Sequence, residues 1–283
     1  MALNTNIRKI WVEVFEVVLK RPIVILPFFI VAFFEGLALE LTYFSCRKPL
    51  LLILGPVIRK FSGEPSLHYP INLLKLPGFF YYSQILIYIF AGVFLAAITV
   101  NILKNIRGSL PLKTNALIKN AAKRYFTFVM FGIIVIALMF LLKKGDTFIY
   151  TKFMQVLPQI SPNLQTLGFI LFLFLTNVIL QTFFVLVIPI LVIRKASLLK
   201  ALGSSIAMGF RNFFSIFTLI LVPFIVYLPI ILLKSYSGAL AGKTFPEISL
   251  YIVGVGIIAT AFVECIIIVC ATHFLLEKEK KST

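Results

Sequence analysis

The chain of 283 residues is 60% apolar and only 13% charged, with a mean hydropathy of +1.05; ordinary soluble domains run at roughly 45–50% and 25%. A soluble core cannot absorb that excess, which excludes water-soluble enzymes, disordered chains and disulfide scaffolds. The net charge of +17, from 27 Lys and Arg against 10 Asp and Glu, falls in short segments between apolar runs and not on one aromatic-interleaved face, so it points to lipid headgroups and away from nucleic acid.

Six apolar runs predict an all-α, polytopic transmembrane helical bundle: 22–44, 81–103, 125–142, 166–193, 213–233 and 248–276. About 20 residues cross ~30 Å of hydrocarbon; the third run is short for that, and the fourth and sixth are long enough that they should tilt or project into the interface. The chain reads as a single integral membrane domain over 1–283. Before the first run, Ile7, Ile10, Trp11, Val14, Phe15 and Val18 recur at helical spacing with Arg8, Lys9, Glu13, Glu16 and Lys20 mostly opposite, which predicts a basic amphipathic helix in the interface with Trp11 at headgroup depth. Tyr43-Phe44-Ser45-Cys46 resembles a lipoprotein cleavage site, but Tyr43 stands where a small aliphatic belongs. The basic leader is also too long for a removable signal, so the first run reads as a permanent anchor.

The segment 45–80 is the longest connection. Leu50 to Ile58 predicts a short interfacial or re-entrant helix, and Pro65, Pro70 and Pro77 predict irregular chain up to the second span. A second basic helix begins at Thr114, expected as N-cap, with Leu117, Ile118, Ala121 and Tyr125 on one side and Lys119, Asn120, Lys123 and Arg124 at its wet side or end. A third begins at Ser197 and uses Leu199, Leu202, Ile206 and Phe210 before Arg211. These helices precede spans one, three and five, and their junctions (Lys20, Arg21, Lys123, Arg124, Arg211, together with Trp11) are the expected headgroup contacts.

The recurrence of basic helix, arginine junction and span suggests a degenerate threefold repeat of two spans per unit, 1–103, 104–193 and 194–283. Independent use of short basic helices between hairpins explains the same pattern. Lys and Arg number 17 on the side of both termini and 10 on the other, which places both termini in the cytoplasm and the protein in a cytoplasmic membrane of bacterial type.

Six spans with basic helices entering the odd ones, Val187-Ile188-Pro189-Ile190-Leu191 at the end of the fourth, and the following Lys195-Ala196-Ser197-Leu198-Leu199-Lys200-Ala201-Leu202 together resemble a broad group of poorly characterised bacterial integral membrane proteins. That group includes the membrane domain attached to some glycerophosphodiester phosphodiesterases. The resemblance implies a stand-alone membrane module, since the catalytic activity of those enzymes belongs to a separate soluble domain, and no catalytic residue carries over.

Ionisable groups within a span are the candidates for function, because a charge there costs at least ~2.5–3.5 kcal/mol on insertion scales. Glu35 lies near the middle of the first span and Glu264 near the middle of the sixth, with no Lys or Arg expected beside them. They read either as carriers of protons or cations or as neutral carboxyls that lock the bundle. Asn177 and Gln181, four residues apart on the fourth span, either bond neighbouring helices or extend the same polar path. Gly254, Gly256, Ala259 and Ala261 predict a close helix approach, and Gly254-Val255-Gly256 lacks the strand and third glycine of a dinucleotide site. Cys265, Cys270 and His273 do not share the spacing of a metal site, Cys46, Cys265 and Cys270 build no disulfide framework, and the tail 277–283 is expected to be disordered.

No phosphate loop, paired-His zinc motif or nucleophile elbow occurs, so neither an enzyme nor a cofactor is expected. The first expectation is a non-enzymatic membrane protein that organises anionic lipids or a partner, either another membrane protein or further copies of itself. The alternative is a secondary transporter or channel for a small solute or lipid that uses Glu35, Glu264, Asn177 and Gln181.

Overall fold

The computed structural model describes residues 7–156 and 161–280, and every regular element among them is helical. Six stretches are long and apolar enough to cross a membrane, the make-up of a multi-pass helical bundle.

Helix α1 (Ile7–Lys20) leads through a short 3₁₀ turn into span one, α2 (Leu26–Phe44). α3 (Leu50–Ser62) forms where a short helix was expected and runs through Pro56. Span two differs from its expected limits: α4 (Ile71–Ile87), a π-helical turn at Tyr88–Gly92 and α5 (Val93–Arg107) make one stretch of 37 residues. Pro77 does not break it. A proline inside a helix removes one hydrogen bond, and here Leu73, Leu76 and Phe80 on either side of it are buried against the bundle.

α6 (Thr114–Ala122) precedes span three, α7 (Tyr125–Val156). Thr114 is the first helical residue and Lys113 takes the cap position without a side-chain bond, contrary to the expected Thr114 cap. α7 also runs well past the expected end at 142. Its extension is tied to α8 (Pro162–Phe184): Thr176 Oγ1 donates to the buried Asp146 carboxylate at 2.8 Å, and the Tyr150 hydroxyl donates to the Gln165 carbonyl. Lys143 and Lys144 thus sit inside a helix.

Span four breaks after α8 and resumes as α9 (Val187–Ile193). Pro189 has no N–H and its ring crowds the carbonyl four residues back, at Val185, which places the break there. α10 (Leu198–Arg211), α11 (Phe213–Ser235), α12 (Ser237–Lys243) and α13 (Ile248–Lys280) complete the chain, with α11 and α13 as spans five and six.

The packing follows one rule. Consecutive spans pair as hairpins (α2 with α4, α7 with α8, α11 with α13), and spans two, four and six meet one another through α5, α9 and α13. In each hairpin the second span is inside: 56% of the most apolar stretch is buried in spans two and six and 33% in span four, against 28%, 17% and 22% in spans one, three and five. The short helices obey the same order. α6 packs on α5, α10 on α8 and α9, and α1 on α13, so each rests on the inner span of the preceding hairpin and α1 closes the ring.

Lipid tails are as apolar as leucine, so close approach and interhelical bonds hold such a bundle together. On α10, a Cβ at Gly209 would lie 2.8 Å from Phe183 Cδ1 and 3.3 Å from the Thr182 carbonyl, while Ser205 Oγ donates to the Phe183 carbonyl at 2.6 Å. On α7, a Cβ at Gly132 would lie 3.1 Å from Ile89 Cα in the π turn, and the Tyr125 hydroxyl donates to the Phe90 carbonyl of that turn at 3.0 Å.

Candidate functional site

Leu39 on α2, Leu76 and Phe80 on α4 and Val253 and Ile257 on α13 form an apolar cluster in the half of the bundle away from α1, α6 and α10. One turn further in from Leu39 and Phe80 stand Glu35 and Gln84. Glu35 is buried, 7% exposed, and its Oε1 accepts from Gln84 Nε2 at 3.2 Å. Glu264 on α13 lies within electrostatic reach of Glu35 and of the Tyr88 hydroxyl in the π turn.

The cation that the sequence reading did not supply comes from α11. Lys234 sits in the last turn of that helix, yet its side chain runs back along it: Nζ donates to the Tyr227 hydroxyl, seven residues earlier, at 3.2 Å and lies within electrostatic reach of Glu35. Tyr227 in turn shares a hydrogen bond of 2.9 Å with Thr260 on α13, whose own hydroxyl donates to the Gly256 carbonyl. Gly256 makes the route: a Cβ there would collide with Cε and Nζ of Lys234. Of the glycines expected to mark a close helix approach, Gly256 does so, lying against Lys234 and Ile230 of α11, the main packing partner of α13, whereas Gly254 has no neighbour within 4 Å.

Asn177 and Gln181 stand apart from this group. They lie on α8, whose main neighbours are α7, α10 and α11, whereas α2 and α13 pack on each other. Asn177 Nδ2 donates to Leu173 of its own helix at 2.8 Å. The four residues named from sequence thus separate into a Glu35–Glu264 pair and an α8 pair. Gln84, Tyr88, Tyr227, Lys234 and Thr260 join the first pair, and Asp146 and Thr176 tie α7 to α8 beside the second. Tyr227 and Lys234 are seven residues apart and so share a helix face, the one signal that a sequence could have offered.

A second set of charges lies at the face that carries α1, α6 and α10. Arg107 pairs with Glu277, Arg194 Nε with Glu279 at 2.8 Å, and His273 Nδ1 with Glu13 at 3.3 Å, joining α5, the end of α9 and α1 to α13. Glu13, Arg107 and His273 line a recess of about 260 Å³. Arg124, between α6 and α7, turns its guanidinium onto the end of α9: Nη1 donates to the carbonyls of Leu191 and Ala196, both at 2.9 Å, and Nη2 to that of Lys195 at 2.6 Å. Lys195 adopts the left-handed backbone, φ 52°, that turns the chain there. Trp11 is half-buried and stacks on Phe15 at 5.8 Å, Lys20 pairs with Glu16 at 2.6 Å, and Arg21, Lys123 and Arg211 are exposed.

Fold and site together define a six-span helical membrane bundle with a polar, charged set inside the span region and paired charges at one face. No family model, no curated protein and no solved structure matches the chain.

Proposed function

We propose that the protein is a non-enzymatic integral membrane protein whose basic face gathers anionic lipid at the cytoplasmic membrane and so organises the lipid or a membrane partner around the bundle. The observation that carries this reading is the way the short helices divide their apolar residues. α1 docks Ile10 and Val14 on the bundle but leaves Val12, Phe15 and Leu19 exposed beside Arg8, Lys20 and Arg21, and α10 likewise leaves Leu199 exposed next to Lys200 and Phe210 next to Arg211. Apolar side chains flanked by basic ones suit the boundary between acyl chains and anionic headgroups.

Native mass spectrometry of the protein released from nanodiscs of mixed phosphatidylglycerol and phosphatidylcholine tests it. Selective retention of phosphatidylglycerol that falls when Lys20, Arg21 and Arg211 are all changed to Gln is the expected result. Equal retention of both lipids by the unaltered protein would overturn it. A second reading, secondary transport of a small solute or lipid, is favoured by one observation, the entry of Lys234 into the set around Glu35.

A further inference from the structure

Between α2 and α13, at the end of the bundle away from α1, α6 and α10, runs a groove of about 470 Å³. Leu39 and Leu250 lie at its base, Glu40, Tyr43, Phe44 and Tyr251 flank it, and a Cβ at Gly254 would meet nothing within 4 Å. We propose that this groove binds one phospholipid with a primary-amine headgroup, its ammonium on Glu40, its phosphate on Arg47 and its acyl chains along the seam between the two helices. The inference rests on neither functional reading above.

The headgroup is argued from two charges that the protein leaves unmatched. Glu40 lies on span one, one helical turn from its end, and its side chain has no hydrogen bond or ion pair among the described residues. A charge left alone in a span is costly. Arg47 follows the span and folds back over it, its guanidinium 5.5 Å from the Tyr43 ring and 5.4 Å from the Phe44 ring, both of which flank the groove. Those rings stand three and four residues after Glu40, one turn of about 5.4 Å. Apart from the two rings the Arg47 side chain has no partner among the described residues, and it forms no ion pair with Glu40.

An unpaired carboxylate about one turn from an unpaired guanidinium matches the two charges of a zwitterion. A primary ammonium donates three N–H bonds, which suits a carboxylate, and the guanidinium fork suits a phosphate. A zwitterion leaves the group neutral, whereas an anionic headgroup would add a negative charge beside Glu40. A trimethylated ammonium has no N–H to donate. The ring of Tyr251, 65% exposed, stands on the α13 side and adds a surface that attracts a cation.

The acyl chains are argued from the helix faces. Phe33, Leu37, Glu40 and Phe44 on α2 recur at i, i+4, i+7 and i+11, as do Tyr251, Val255, Ile258 and Phe262 on α13, and all eight are exposed. Each set is one stripe along its helix. Both stripes pass through the groove, and they close on each other further in, where Phe29 meets Phe262 with ring centroids 5.5 Å apart. An apolar track leading away from a charged pair fits a lipid, while a small polar amine would use only the charged end.

Native mass spectrometry of the full chain, released from nanodiscs of palmitoyl-oleoyl phosphatidylethanolamine and phosphatidylcholine in equal amounts, reads the headgroup preference with the acyl chains matched. The unaltered protein should retain one phosphatidylethanolamine per chain, about tenfold over phosphatidylcholine, the scale of one hydrogen bond to a charged group. Glu40→Gln and Arg47→Gln should each bring that ratio close to one. Gly254→Leu should expel either lipid, and its side chain enters open space, so thermal unfolding in detergent should be unchanged. Equal retention of both lipids by the unaltered protein overturns the proposal, as does a preference that survives both Glu40→Gln and Gly254→Leu. A preference for phosphatidylcholine would make the groove a site for a methylated ammonium, and a dimer lost only in Gly254→Leu would make it a contact between copies; either overturns the proposal. Complete displacement of the lipid by free phosphoethanolamine would deny the seam its part. The nanodiscs hold no phosphatidylglycerol, so the result is independent of what the basic face binds.

Discussion

Charge is treated in opposite ways at the two depths of this bundle. At the basic face the polar groups that join one helix to another each have their own partner: Arg107 has Glu277, Arg194 has Glu279, His273 has Glu13, and Arg124 has three carbonyls. These contacts tie span ends together and need no further explanation. Around Glu35 the count is uneven, two carboxylates to one ammonium, and the cation arrives by folding back along its helix in place of reaching out to the surface. A lysine near a span end ordinarily extends towards the headgroups. Its inward course, over a glycine that leaves room for it, sets the group around Glu35 apart from these ties.

The comparison breaks most visibly at Arg124. If it is a tie, removing it leaves the carbonyls of Leu191, Lys195 and Ala196 without their donor, and Arg124→Met should cost on the order of 3 kcal/mol, given about 1.5–3 kcal/mol for a hydrogen bond to a charged group. Arg124→Lys should recover only part, because an ammonium cannot reproduce the planar fork. Hydrogen exchange localises the effect: amides of Val187–Ile193 should lose protection while those of α2 do not. Uniform loss across the bundle would deny Arg124 its local role.

Glu35 gives the next largest effect and sharpens the contrast by its choice of substitute. Glu35→Leu removes the acceptor of the Gln84 amide and should destabilise by about 1–3 kcal/mol, the cost of a buried polar group left unmatched. Glu35→Gln keeps an acceptor at the same place and should cost well under half as much. Thermal unfolding in the same lipid measures both. Equal losses would mean that shape and not hydrogen bonding is what Glu35 supplies.

These residues were legible from sequence to different degrees, and the reasons are physical. Hydropathy reads how long a segment stays apolar, which is why six spans were visible. It does not read whether a proline or a lysine pair inside a helix is tolerated. Pro77 survives because Leu73, Leu76 and Phe80 pack around it, and Lys143 and Lys144 because Asp146 and Tyr150 beyond them bond to α8. Glu35 and Glu264 were found from depth alone, since a carboxyl in a span is conspicuous in one dimension. Lys234 was not, because its α-carbon lies at the end of the span and only the course of its side chain brings the ammonium inward. Asn177 and Gln181 were placed correctly on one helix face, but which way that face turns is decided by packing, and it turns the pair away from α2.

A smaller effect is expected where the tie keeps some access to solvent. Arg107 and Glu277 keep 27% and 14% of their side-chain surface accessible, so Arg107→Gln should lower stability by no more than about 1 kcal/mol, the range of ion pairs near a surface. The loss should shrink further in high salt, which screens exposed pairs. Insensitivity to salt would place this pair with the Glu35 set and remove the contrast between the depths.

The smallest effect tests whether a partner on another helix is what matters at the basic face. Glu13 and Glu16 lie on the same helix and each pairs with a lysine of it, Lys9 at 3.6 Å and Lys20 at 2.6 Å, but Glu13 also reaches His273 of α13. Lys20 holds the Glu16 carboxyl below the usual carboxylate range. A depressed value means that whatever the pair adds is present above the ordinary carboxylate range and fades as the pH falls through the lowered one. Because Glu16 is open to solvent and Lys20 belongs to the same helix, that contribution supports α1 itself and not its docking. Trp11 on α1 reports docking through its fluorescence. Glu16→Gln should leave the emission of Trp11 unchanged at any pH, while Glu13→Gln should shift it towards that of an exposed indole. Equal shifts from both variants would show that net charge on α1, and not the Glu13–His273 contact, seats the helix on α13.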